Sequence, residues 1–236
     1  MAGKSRIMTD AAPIRDAASV VLIDRSTDDP KVLMGMRGAA AAFMPSKYVF
    51  PGGAVDADDE GLAADLAGLP DAANLERLCA YGREGRCGAN AIVAAGVREL
   101  AEETGLLLGA SGESSDRWPS YSEQGIAPDA SALMFFFRAI TPPGRPRRFD
   151  ARFFLIDAAQ VATSLTDFSR AEDELSHLHW VSLAEARHLD LPFITEVVLA
   201  EARRIVAASA GGPFRRPESV WFFDNEGEET ALRKIA

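Results

Sequence analysis

The stretch NAIVAAGVRELAEETGL, residues 90–106, decides how the rest of the chain is read. It contains no proline, and at the roughly 100° per residue of an α-helix Val93, Val97, Leu100 and Thr104 fall in one stripe about 60° wide. That stripe predicts a core-facing helix over 90–104, and Gly105 supplies the expected stop. On the opposite side Glu99, Glu102 and Glu103 share an arc of about 100°. Three carboxylates at that spacing repel one another, and the helix dipole disfavours anions near a C-terminus. Arg98 stands four residues before Glu102 and can pair with it, but one guanidinium cannot neutralise three carboxylates. Hard divalent cations can, because Mg²⁺ and Mn²⁺ prefer oxygen ligands and keep open positions for water and substrate phosphates. A solvated acidic face is the alternative reading of the same residues.

Strands are expected on both sides of this helix. Ala18–Ile23 and Lys31–Met36 are short apolar runs around the turn-rich DRSTDDP and read as an antiparallel pair. Tyr48–Phe50 predicts a short strand before Pro51-Gly52-Gly53 forces a turn. The Ala-, Leu-, Asp- and Glu-rich residues 57–88 read as a helical insertion, and the polar residues 109–128 as a loop or short excursion. Leu133–Thr141 and Ala151–Ala158 predict two strands joined by PPGRPRRFD, and Leu175–Val181 another. His177 and His179 alternate along that last strand, but no third metal ligand accompanies them. A helix is expected from Ser182, with Glu185 at capping-box spacing, and a long amphipathic one from Pro192 to about Ala208. Residues 213–236 read as a terminal hairpin, in which Trp221 and Phe222 are expected to be partly exposed and hint at a homodimer contact. Strands precede, separate and follow the helices, which predicts an α/β fold: one domain over residues 1–236 with a mixed sheet covered on both faces.

Composition bounds the partners. With 236 residues, 47% hydrophobic and 25% charged, the chain has the balance of a globular protein that buries a core. Its formal net charge of −10 repels phosphate backbones, so no nucleic-acid partner is expected, and a phosphorylated ligand needs a local positive pocket or bound cations. Cys79 and Cys87 are too few for a disulfide scaffold and read as reduced packing residues. No apolar run approaches a membrane span and the N-terminus lacks a signal-peptide core, so a cytoplasmic protein without a membrane partner is expected.

The FPGG turn at 50–53 and VRELAEETGL at 97–106 together resemble the Nudix box, G-x5-E-x7-R-E-U-x-E-E-x-G-U with U aliphatic. Arg98, Glu99, Leu100, Glu102, Glu103, Gly105 and Leu106 match its second half position for position, and Gly53 resembles its first glycine. The first half departs: eight residues before Arg98 stands Asn90 instead of glutamate, and the insertion lies between. Asp56, Asp58 or Glu60 could stand in for that glutamate, or nothing does.

The resemblance implies a Nudix-type α/β/α sandwich with a helical insertion inside the box. It implies hydrolysis of a nucleoside diphosphate linked to another group, with Mg²⁺ or Mn²⁺ held by Glu99, Glu102 and Glu103 and with Arg98 orienting the glutamates. A general base outside the box is usual in the family, and Glu172, Asp173 and Glu174 precede the predicted strand at 175, with Glu174 preferred as the nearest. Gly52 and Gly53, counted among the substrate-binding residues, would let the backbone turn sharply and approach the helix closely. Arg145, Arg147 and Arg148 beside Phe149 combine guanidiniums with an aromatic that could stack on a base, or else keep a turn soluble; Arg37 and Lys47 could reach a phosphate or simply remain solvated. The run 34–53 loosely resembles the coenzyme A diphosphatase branch and the insertion the peroxisomal long-insert type, although the full coenzyme A signature is absent. The expected partner is a small nucleoside diphosphate derivative of coenzyme A, ADP-ribose or dinucleotide type. The alternative is a catalytically silent Nudix-like nucleotide sensor.

Overall fold

A computed structural model describes residues 12–38, 44–82, 88–209, 211–227 and 229–236. In chain order the elements are β1 Ile14–Asp24, β2 Lys31–Arg37, β3 Tyr48–Val49, β4 Gly52–Ala54, α1 Asp59–Ala63, α2 Ala72–Cys79 and α3 Ala89–Thr104. There follow β5 Gly109–Ser111, α4 Pro119–Ser122, β6 Ile126–Pro128, β7 Met134–Ile140, β8 Arg148–Asp157, β9 Leu175–Ser182, α5 Phe193–Ala208, β10 Val220–Asp224 and β11 Ala231–Ile235.

Alternation along β1 shows how the layers form. Ala18, Val20 and Leu22 pack toward α3, while Val21 and Ile23 pack toward α5, so the strand is apolar on both faces and reads as a continuous run. β1 lies parallel to β8, with Val20 opposite Phe154, and β8 is antiparallel to β7. Among the described residues the main sheet runs β11-β10-β7-β8-β1-β2-β3, with β4 also on β1 and β9 on β2. It is mixed, with α1–α4 on one face and α5 on the other. A register shift between Phe135 and Phe137 explains how three consecutive phenylalanines are all buried: Phe135 faces α3, and Phe136 and Phe137 both face α5.

Residues 57–82 are built into this core. Leu62, Ala63 and Leu78 are buried with α3, the Trp118 indole donates to the Leu62 carbonyl, and the Arg77 guanidinium donates to the carbonyls of Pro217 and Glu218. Residues 109–128, expected as loop, contain the β5–β6 pair with α4 between them.

Three further expectations are corrected. Residues 183–189 form one 3-10 turn, Ala186–His188, instead of an α-helix; the Ser182 hydroxyl is turned away to Asp29, and Leu183 and Ala186 are already buried within that single turn. Phe222 is fully buried beneath the Arg138 guanidinium, because β10 extends the sheet by pairing in parallel with β7, whereas Trp221 is partly exposed as expected, with Lys234 over its ring. Cys79 is exposed at the end of α2 and does not pack, while Cys87 lies outside the described residues.

Candidate active site

Two glycines bring β4 against the carboxylate face of α3. A Cβ on Gly53 would fall inside van der Waals distance of the Glu99 carboxylate, and one on Gly52, whose φ is +149°, would collide with the Ala18 carbonyl. The turn is therefore closed only without side chains. The Gly52 N–H donates to Glu103 Oε2 at 2.6 Å. The far half of α3 is thus no solvated surface: Glu99 is 9% exposed and Glu103 only 2%.

Arg98 organises the other carboxylates. Its Nη1 donates to Glu99 at 2.9 Å and to Glu102 at 2.8 Å, while Nε and Nη2 grip Asp59 in a fork at 2.8 and 3.0 Å. Burial alone would lower the Arg98 pKa, but the Asp59 bond and the charges of Glu99, Asp59 and Glu102 outweigh it and raise the value. One cation remains too few for the acids around it. Burial pushes Glu99 up to about 7 against the pull of Arg98, and it raises Glu102 as well. Glu103 is pushed up to about 8, by burial first, with the Gly52 N–H pulling the other way. Its second oxygen, Oε1, is buried and has no hydrogen-bond partner.

The start of β9 joins the site from outside the helix. The Glu172 N–H donates to the Glu102 carbonyl at 2.8 Å, and the backbone at Arg170 lies against Gly105, where a Cβ would come within 3.0 Å of Arg170 Cβ. Gly105 has φ +73°, so this glycine both ends α3 and seats the segment carrying Glu174. Glu174 is near enough to raise Glu99 and Glu103 electrostatically, and its carboxylate accepts from Arg37 Nη2. Among the described residues no three His, Cys, Asp or Glu side chains converge on a single cation position. In this conformation Arg98 holds Glu99 and Glu102, and Gly52 holds Glu103. The chemistry of the set nevertheless suits a hard cation: carboxylate oxygens only, too few positive charges, and one buried acceptor without a donor.

A protein of Caenorhabditis elegans described as "Putative nudix hydrolase 7" is 32% identical over 190 residues, 72% of this chain and 52% of its own length. The chain thus spans about half the length of that curated relative. A NUDIX hydrolase structure from Alicyclobacillus acidocaldarius matches 86% of this chain and 99% of its own, at 25% identity and a TM-score of 0.63. The chain belongs to the Nudix superfamily. No family model matches the sequence.

Within the Nudix pattern the missing acid is found by counting forward. Six residues after Gly53, at the family's G-x5-E spacing, stands Asp59, which is fully buried against Arg98. Counting back from Arg98 reaches Asn90 instead, because the insertion interrupts the second interval and leaves the first intact. None of the three expected acids occupies this place. Asp56 pairs with Arg15 and stays 3.8 Å from Arg98; Asp58 precedes α1 without a side-chain cap; Glu60 points toward Gly88.

The substrate residues divide. Arg37 stands beside the glutamates, whereas Lys47 pairs with Asp190. Arg148 is a correction: it is 4% exposed and donates to the carbonyls of Thr141 and Asn225, fastening β8 to the C-terminal hairpin instead of offering its guanidinium to a ligand. Phe149 lies in the same strand, exchanging backbone and hydroxyl bonds with Thr141, so the basic turn ends before it. His177 sits at a bulge with φ +51°, its ring against Ser176.

Proposed function

We propose that the chain is a metal-dependent Nudix diphosphohydrolase that cleaves the diphosphate of a nucleoside linked to a second group. The observation that carries the reading is the crowding of Glu99, Glu102 and Glu103 on one helix face, where the Arg98 guanidinium pairs with the first two and Glu103 Oε1 is buried and unpartnered. Retaining three crowded acids has no purpose in a pure binder, which weighs against the silent-sensor alternative. Glu99, Glu102 and Glu103 would hold Mg²⁺ or Mn²⁺, and when bound the ions would polarise phosphoryl oxygens and lower the pKa of a water.

The chain's own residues do the rest. Asp59 fixes Arg98, and Arg98 in turn fixes the rotamers of Glu99 and Glu102. The Gly52 N–H orients Glu103. Glu174, at the rim and more than half exposed, would accept the proton of an attacking water, and Arg37 beside it would bind a phosphoryl oxygen. Coenzyme A, ADP-ribose and dinucleotides are the substrate types in view, and a cytoplasmic location goes with a sequence whose two cysteines are too few for a disulfide scaffold. The test is a panel of coenzyme A, ADP-ribose, NADH and diadenosine polyphosphates with Mg²⁺ or Mn²⁺, read as phosphate-ester products. Activity that disappears with EDTA and with Glu103→Gln supports the proposal. Nucleotide binding without any product supports the sensor.

A further inference from the structure

Arg37 ends β2 with its backbone pinned: its N–H donates to the Lys47 carbonyl and its own carbonyl accepts from the Ser46 N–H, both at 3.0 Å. Its side chain is one-fifth exposed and reaches Glu174, while its Nε is buried and has no acceptor. A buried donor without a partner is costly, and a guanidinium offers five donors in a fork shaped for paired oxygens. The present arrangement leaves part of that fork unused. Glu174 is engaged as well, although it is an exposed acid whose charge already acts on Glu99 and Glu103 and would oppose an incoming polyanion.

Resting on the reading of the site as a diphosphate site, we infer that Arg37 is an exchangeable phosphate clamp: paired with Glu174 at rest, it passes to the diphosphate when the ligand enters and thereby uncovers Glu174. The two partners compete for one guanidinium. While paired, Arg37 neutralises Glu174 and lessens its repulsion of the ligand; once transferred, it fills the unused donor positions with phosphoryl oxygens and leaves Glu174 without its counter-cation, the condition a general base needs. The pinned backbone allows this through side-chain rotation alone.

The exchange gives a signature that simple charge repulsion lacks. Methylenediphosphonate, which cannot be hydrolysed across its P–C–P bridge, is titrated in millimolar Mg²⁺ into the full chain and its variants by calorimetry. Arg37→Ala should weaken binding by about 10-fold or more, and Arg37→Lys by less, since the charge survives without the fork. Glu174→Gln should tighten binding by about 5-fold with Arg37 present and by less than about 2-fold in the Arg37→Ala background, the difference being the competition. An equal effect of Glu174→Gln in both backgrounds, or wild-type affinity in Arg37→Ala, overturns the clamp and leaves the diphosphatase reading standing. If the wild-type chain neither binds the diphosphonate nor turns over any substrate of the panel, the diphosphate reading falls and the clamp with it. Both side chains lie at the rim, so circular dichroism should show every variant folded.

Discussion

Two clusters of charge are buried in this chain, and they are balanced differently. Where β7, β8 and β1 meet, Arg138 holds Asp150 in a fork at 2.8 and 2.7 Å, and Arg152 bonds to Asp16 and lies 3.3 Å from Asp150. All four are at most 5% exposed, two guanidiniums against two carboxylates among the described residues. On α3, by contrast, Arg98 faces Asp59, Glu99 and Glu102, and Glu103 has only a backbone N–H. Among the described residues the first cluster is balanced in charge, although Arg152 Nε is buried without an acceptor, and it holds strands together. The second keeps an excess of negative charge that an apolar interior tolerates only through raised pKa values or an added cation. Balance separates a structural ion network from a site more clearly than burial does.

The largest expected effect comes from unbalancing the charge-balanced cluster. Asp150→Asn leaves Arg138 and Arg152 buried with one carboxylate, Asp16, between them, and should cost about 3–5 kcal/mol of unfolding free energy. Denaturant melts of Asp150→Asn and Glu103→Gln, both without metal, make the comparison direct: Glu103→Gln removes an excess charge and should leave stability unchanged or higher. Equal losses in the two variants would show that the clusters do not differ in kind.

Activity should respond in the opposite sense. Glu103→Gln and Glu102→Gln are each expected to lower turnover by at least about 100-fold, since each removes charge where the metal and the transition state need it. Near-normal rates in folded protein would remove the metal assignment.

Next in size is a coupled response to metal and pH. An unfolded glutamate titrates near 4.5, whereas burial places folded Glu99 at about 7 and Glu103 at about 8. Between those limits the metal-free folded chain holds protons that the unfolded chain has released. Its stability is therefore fully present below about 4.5 and declines as pH rises through 7 and 8. Mg²⁺ or Mn²⁺ requires the deprotonated acids, so the stabilisation it gives, about 2.7 kcal/mol at 100 times its Kd, should grow over the same window. Thermal scans with EDTA and with millimolar Mg²⁺, from pH 5.5 to 8.5, should diverge as pH rises. Scans that superimpose at pH 8 would mean that the acids bind no metal.

The parts of the molecule legible in the sequence are those in which one local pattern decides one element. The apolar stripe of α3 and its stop at Gly105 agree with the observed helix, and the apolar runs read as β1, β2, β7 and β9 agree with the observed strands within a few residues. What escaped depends on long-range partners. Arg148 reads as a turn residue until β8 is seen to begin at it and Asn225 to accept its donors. Phe222 reads as exposed until β10 is known to pair with β7. Asp59 was hidden by the direction of counting: eight residues before Arg98 is still on α3, which begins at Ala89, whereas the acid stands ahead of the insertion at the start of α1. Spacing from Gly53 would have found it, because β4 and the turn into α1 are continuous there.

That misplacement defines the smallest effect and the finest test of the comparison. Asp56 and Asp59 both approach Arg98, one at 3.8 Å and 60% exposed, the other in a fork and fully buried. Water screens the first pair, so Asp56→Asn should change turnover by less than about 2-fold. Asp59→Asn keeps the shape but removes the charge that holds Nε and Nη2. Arg98 is then free to bear more strongly on Glu99 and Glu102, which would compete with the cation for the same oxygens. Turnover should fall by about 10-fold, with a matching rise in the Mg²⁺ concentration needed for half-maximal rate. If saturating Mg²⁺ restores the rate of Asp59→Asn, the aspartate acts by keeping Arg98 from the metal ligands. If Asp56→Asn is the more damaging of the two, exposure is the wrong guide and the acid completing this site is Asp56.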